Sequence, residues 1–217
     1  MRALIATGTG RYADPWHPYT KTSPLIADVL REAGFDVEID EDVDGAMTRL
    51  EGVDLLVVNA GDPWRSETTE PLPGASVDGL HAALERGIGV IAVHAALSSL
   101  RDYPDWPGAI GGMWVPGISW HPPLDRVRIA GDALPDGTRI DDFDVEDERY
   151  TRLQAFGERM VVARHETEGE SQPTAWVRTH GASRVAVDAL GHDERSWASD
   201  GHRALFAQLA RWVTSRD

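Results

Sequence analysis

Four of the eight histidines in this chain stand where proton chemistry could be assembled. Imidazole has an ordinary pKa near ~6.5, so it gives or takes a proton at neutral pH. His94 closes the stretch Gly87-Ile88-Gly89-Val90-Ile91-Ala92-Val93, an unbroken apolar run that fits a strand covered on both faces. Ala95, Ala96 and Leu97 follow without a turn residue, so a helix is expected to start at once. A strand that turns into a helix this sharply holds one side chain up at the carboxyl edge of the sheet, where open α/β sheets bind ligands. That side chain is His94. His17 falls in the loop after the first expected strand, His121 precedes Pro122-Pro123 in a long loop, and His192 sits in Gly191-His192-Asp193 after the last strand. If they converge, they form one acid–base or ligand-binding pocket with His94 at its centre. Each also has a plainer role open to it: a backbone hydrogen bond for His94, a proline-stiffened loop for His121, an Asx-type turn for His192. His81, His165, His180 and His202 fall on helix faces, a strand end or a turn and are given no role.

The elements that must position these groups follow from periodicity. Ala3 to Thr7, Phe35 to Ile39, Val53 to Asn59 and Val90 to Val93 read as buried strands. Between them lie helical stretches. In the first, Ser23 is the expected N-cap, Pro24 the first helical residue and Gly34 the stop. A short helix is expected over Asp44 to Leu50, and a third is capped by Ser76 and ended by Gly87. Strand and helix alternate with short connections, which predicts a mostly parallel sheet wrapped by helices. Beyond Leu100 the texture changes to a long Pro-, Gly- and Trp-rich segment from Asp102 to Pro123. Further strands are expected at Val127 to Ala130 and Met160 to Arg164. A hairpin is expected from Ala175 to Ala189 around His180-Gly181, and a last helix from Asp200 to Val213. The acidic run Asp141 to Glu148 reads as a solvated face. No repeat or low-complexity tract interrupts the chain, so residues 1–217 are expected to form one domain.

Composition narrows the function classes. A formal charge of −15 repels phosphate backbones, which argues against nucleic acid as a partner. No stretch approaches the ~20 apolar residues of a membrane span, and the N-terminus runs into a strand without a basic signal region. A cytoplasmic, membrane-free protein is the expectation, with self-association left open. Without cysteine there is no disulfide framework and no thiolate nucleophile. A serine nucleophile fits poorly, because Ser98 and Ser99 lie a turn past the elbow and Gly-x-Ser-x-Gly is absent. Gly8-Thr9-Gly10 begins like a dinucleotide fingerprint, but the third glycine is missing.

The 8 tryptophans favour a carbohydrate ligand, because flat indoles pack against the apolar faces of sugars. Trp16, Trp64, Trp106, Trp114 and Trp120 lie in loops expected to border the pocket, and Trp16 and Trp120 are assigned to substrate together with His17, His121 and His192. Trp176 and Trp212 are expected in the core. No cofactor is expected. A divalent metal is the alternative, held by His94, His121 and His192, although no His-x-x-x-His or His-Glu-x-x-His spacing marks one.

The elbow Gly-Val-Ile-Ala-Val-His-Ala-Ala, Gly111-Gly112, His121-Pro122, Asp147-Glu148-Arg149-Tyr150, Pro173-x-x-Trp176 and Gly191-His192-Asp193 with Trp197 follow in one order along the chain. Together they resemble the ThuA-like (trehalose utilisation) family of the class I glutamine amidotransferase-like superfamily. The resemblance implies a flavodoxin-like α/β three-layer sandwich with a mostly parallel central sheet. It also implies that His94 stands where glutamine amidotransferases carry cysteine. An imidazole cannot replace a thiolate in thioester chemistry, so a glutaminase is excluded. The family pattern singles out Glu148 as the acid–base partner of His94 and Tyr150 as a substrate contact. The implied function is sugar utilisation: an enzyme of unknown reaction on a carbohydrate or keto-sugar derivative, working by His/Glu acid–base chemistry. The alternative is a non-catalytic sugar-binding or accessory subunit of a dehydrogenase or uptake system.

Overall fold

The computed structural model describes residues 1–65 and 73–215. Its centre is a nine-stranded sheet. Five strands run parallel in the order β2 (Asp36–Asp40), β1 (Arg2–Thr7), β3 (Leu55–Asn59), β4 (Gly89–Val93) and β11 (Ser183–Asp188). The sheet continues antiparallel through β10 (Glu170–His180), β9 (Met160–Thr167), β6 (Asp125–Gly131) and β7 (Phe143–Asp147). The parallel half is the flavodoxin-like order 2-1-3-4-5. A two-stranded ladder pairs β5 (Gly112–Met113) with β8 (Gln154–Ala155).

Helices cover both faces because alternate residues of each strand are apolar in both directions. On one face Ile5, Val57, Ile91 and Ala186 pack against Ile26 and Leu30 of α1 (Tyr19–Glu32) and Leu205, Phe206 and Leu209 of α5 (Asp200–Thr214). On the other, Leu4, Leu56, Val90 and Val187 meet Met47 of α2 (Val43–Met47), Leu80 and Leu84 of α3 (Gly74–Arg86) and Trp106 of α4 (Asp105–Ile110). Each such fully buried large apolar side chain contributes about 1.5–3 kcal/mol through removal from water. Trp176 and Trp212 are buried, as expected. Among the described residues, no helix is long and apolar enough to cross a membrane.

Several expectations about element ends are corrected. The first helix begins at Tyr19, so Pro24 lies inside it and Ser23 is not its cap. Ser23 is buried and bonded elsewhere: its hydroxyl accepts from Thr7 Oγ1 at 2.7 Å and Asn59 Nδ2 at 3.0 Å. A tertiary polar cluster has captured what looked like a local cap. Ser76 likewise lies within α3, donating to the Asp44 carbonyl at 2.7 Å. The elbow holds, but the helix after it does not form. His94–Leu97 make one 3-10 turn, and the next helix waits until Asp105. The acidic run is only partly solvated. It folds as β7, whose alternation buries Phe143, Val145 and Asp147.

Candidate active site

The site lies outside the carboxyl ends of β1, β3 and β4, in the crevice this topology creates. His94 sits at the tip of β4 with φ +46, a left-handed conformation uncommon for a residue with a Cβ. The residue is 1 % exposed. Nδ1–H donates to the Ala189 carbonyl at 2.8 Å, which fixes the tautomer and leaves the Nε2 lone pair facing the site.

The loop after β1 brings His17. Asp14 organises that loop as an Asx-type turn, accepting from the backbone N–H of Trp16 and of His17 at 2.9 Å each. The same carboxylate takes His17 Nδ1–H at 2.7 Å and the Tyr19 hydroxyl at 2.6 Å. His17 therefore also presents Nε2. Asp14 was missed in the sequence; its only local signal is the Asp-x-x-His spacing. His192 arrives after β11 through Gly191, whose φ is +115. A Cβ at Gly191 would come within 2.9 Å of Val93 Cγ1, so only glycine lets this loop cross the elbow.

Beneath that loop lies a second residue to which the sequence reading gave no role of its own. Asp147 is fully buried and accepts from Gly191 N–H at 2.7 Å, Glu148 N–H at 2.7 Å and the Ser196 hydroxyl. Ser196 Oγ lies 2.9 Å from His202 Nδ1, and His202 Nε2 is 2.9 Å from Asp188 Oδ2. This buried polar chain ties the ends of β7 and β11 to α5. His202 thus has a structural role, as does His165, whose Nε2 bonds the Tyr150 carbonyl at 3.1 Å.

Glu148, first residue after β7, meets the histidines. Its Oε2 is 3.5 Å from His94 Nε2 and 3.3 Å from His192 Nδ1, and its Oε1 is 3.5 Å from His121 Nδ1. The ligand atoms of His17, His94, Glu148 and His192 all lie within 4.8 Å of one another. His17 Nε2, His94 Nε2 and His192 Nδ1 are buried without a hydrogen-bond partner. The sequence's conditional metal set is thereby altered. His121 stands outside this group, with Nδ1 directed to the Pro122 carbonyl at 2.9 Å, and His17 and Glu148 are inside it.

The charges follow from this packing. Burial raises the cost of ionising Glu148, but the His192 and His94 rings outweigh it and hold the carboxyl far below its usual range. Burial also opposes a charge on His94, yet Glu148 and Asp147 outweigh it and push His94 above its ordinary value. His17 is pushed down, chiefly by burial. The centre thus sets an ionised carboxylate beside His94, pushed toward its charged form, while His17 is pushed toward its neutral one.

Tyr150 stacks on His94 at 4.2 Å between ring centroids, and Trp114 lies 4.6 Å from Tyr150. With Trp16, His17, His121, Glu148 and Arg65 they line a cavity of about 440 Å³. Trp16 is 62 % exposed, with the Arg65 guanidinium 4.6 Å from its ring. The tryptophan assignments are corrected here. Trp120 does not line the cavity; it pairs with Thr151 through the backbone, and Trp114 takes the wall position. Trp106 is buried, donating its indole N–H to the Ala96 carbonyl, and Trp64 packs outside the cavity against Arg101.

The arrangement defines a flavodoxin-like α/β protein with a histidine–carboxylate centre at the carboxyl edge of its parallel strands. The chain belongs to the ThuA family, described as trehalose utilisation, whose sequence profile matches residues 2–213. Two crystallised proteins named as ThuA-like share its fold. The one from Parabacteroides merdae superposes with a TM-score of 0.78 at 16 % identity, covering 99 % of this chain and 90 % of that one. The one from Bacteroides uniformis gives 0.66 at 18 % identity, covering 100 % and 92 %. A β-galactosidase from Bacillus circulans matches at 0.58 and 12 % identity, over 97 % of this chain but 30 % of its own. No protein of curated function matches significantly in sequence.

Proposed function

We propose that this protein processes a carbohydrate or keto-sugar derivative at the His17–His94–Glu148–His192 centre, with a divalent transition-metal ion held between those side chains. The observation that carries the reading is the trio of buried imidazole nitrogens with no hydrogen-bond partner, gathered around Glu148. Burying three such acceptors without a protein partner costs free energy that an ion would return. The spacings agree. Bonds of ~2.0–2.1 Å in a tetrahedron separate neighbouring ligand atoms by about 3.3 Å. Glu148 stands at 3.3 and 3.5 Å from two of the imidazoles, too far for good hydrogen bonds and close to that edge length. Three imidazoles and one carboxylate are the donor set that zinc-like ions take.

With these four donors, such an ion would need a fifth position, or release of one donor, to polarise a sugar carbonyl or hydroxyl. The chain's own groups do the rest. Asp14 and the Ala189 carbonyl orient two imidazoles, His121 stands within reach of Glu148 to carry a proton, and Trp16, Trp114 and Tyr150 wall the sugar. The family's trehalose-utilisation description supports the sugar. Glutaminase chemistry has no nucleophile here, because the chain has no cysteine and His94 is locked by its Nδ1 bond. A second reading rests on the opposed displacements of His94 and Glu148, which suit a metal-free acid–base pair.

Elemental analysis of protein purified without an affinity tag separates the two. About one equivalent of transition metal per chain, lost in His94→Ala and His192→Ala, is expected. Metal-free protein that turns over keto-sugars unaffected by chelators would leave only the acid–base pair. Saturable sugar binding with no turnover across a panel of sugars and keto-sugars would instead mark an accessory subunit.

A further inference from the structure

A wider cleft, about 1100 Å³, lies at the opposite edge of the sheet, beside the β10–β11 hairpin. Two arginines enter it on the face that carries Trp176. The ladder pairs Met160 with Val177, so one step further Arg159 lies across from Arg178. Like charges directly opposite on neighbouring strands repel. Here each is also partly buried, and each has a buried Nε with no hydrogen-bond partner.

No carboxylate lies within ion-pair distance of either guanidinium among the described residues. By contrast, Arg11, Arg49, Arg126, Arg149, Arg195 and Arg203 all have acidic partners. Burial lowers the pKa of both, and Arg178 adds repulsion at Arg159.

The pair is also seated. The Arg159 guanidinium lies 5.5 Å from the Trp176 ring, and Arg178 donates to the Phe156 carbonyl at 3.3 Å. In its present position the Arg178 guanidinium lies over two glycines. A Cβ at Gly111 would lie 2.8 Å from its Cζ, and one at Gly157 would lie 2.9 Å from its Nη2. Two cations without an ion-pair partner among the described residues, with donors to spare, form the complement of an oxyanion, although Asp136 and Glu158 line the same cleft.

We propose that Arg159 and Arg178 form a second binding site, remote from the histidine centre, that takes the phosphate group of a small phosphorylated metabolite. A dianion between two guanidinium groups relieves their repulsion and satisfies the idle donors. The cleft has room for more than the phosphate itself, and Phe156 and Met160 expose apolar surface nearby.

Calorimetric titration with inorganic phosphate at constant ionic strength tests this, with acetate and citrate as carboxylate arms and chloride as the control. Saturable phosphate binding is expected, with Arg159 and Arg178 Nε–Hε resonances shifting on titration. Arg159→Gln, which removes no hydrogen bond of the fold, should weaken binding about tenfold, as should Arg178→Gln. Glu158→Gln removes a carboxylate lining the same cleft and should tighten it. Citrate binding that exceeds phosphate binding would overturn the phosphate assignment. Absence of saturable binding, or equal binding by the Arg159→Gln variant, would overturn the site.

Discussion

The two halves of the sheet reach the same site by different routes. In the parallel half every strand points one way, so β1 and β4 deliver the loops bearing His17 and His94 to one edge by topology alone. In the antiparallel half directions alternate, so β7 points the same way as β11 only after four reversals, through β10, β9 and β6. That return brings Glu148 to the histidines, and the buried Asp147 fixes it there by binding the His192 loop. The centre is built on the seam. One half supplies imidazoles whose direction is set by the adjacent backbone and loop, and the other supplies a carboxylate whose place depends on the whole sheet being assembled.

Substitutions on the two sides should separate these roles. The largest effect is expected from His94→Ala, which should abolish stoichiometric metal and lower turnover by about 10²–10⁴, read by elemental analysis and steady-state kinetics. Normal metal content in that variant would remove His94 from the centre. On the other side of the seam, Asp147→Ala strands buried donors of Gly191, Glu148 and Ser196. It should cost about 3 kcal/mol in urea denaturation and weaken the metal as well. Asp14→Asn keeps the loop but weakens the orienting bond to His17. About tenfold weaker metal binding with unchanged stability is expected from competition with a chelating dye.

pH sharpens the contrast. His94 is raised in the folded protein, so in the metal-free form its charge adds stability that is full below ~6.5 and lost as pH rises through the folded value. The metal needs the neutral ring, so its contribution grows over the same range. The Tm gap between metal-loaded and metal-free protein should therefore widen from about pH 6 to about pH 8. A gap that narrows would contradict imidazole ligation. The smallest effect belongs to Trp16→Ala: because the ring is exposed, stability should change by less than ~0.5 kcal/mol, while KM for the sugar rises.

Legibility follows the same seam. Residues whose position is set by a few neighbours were readable: the elbow at His94, the stop at Gly87 and the hairpin around Gly181. Trp114 was expected to border the pocket and does, but the substrate assignment went to Trp120, because both lie in the same Pro- and Gly-rich segment and only its fold decides which indole faces the cavity. Ser23 and Ser76 looked like caps because a hydroxyl before a helical run is a good local signal; their partners, Asn59 and Asp44, are distant in sequence. Asp147 was hidden in an acidic run that composition assigns to solvent, although the alternation Phe143, Val145, Asp147 places it inward.

By itself the sequence determined the alternation of buried strands and helices, the sheet edge that carries the candidate site, and the absence of thiol chemistry. Each of these depends on local periodicity or on a residue type. Tertiary structure alone decided that His17 rather than His121 joins His94 and His192, and that Glu148 stands among them. Those distances are sums over the whole sheet, and a shift of a few ångströms in any crossing would separate the same side chains.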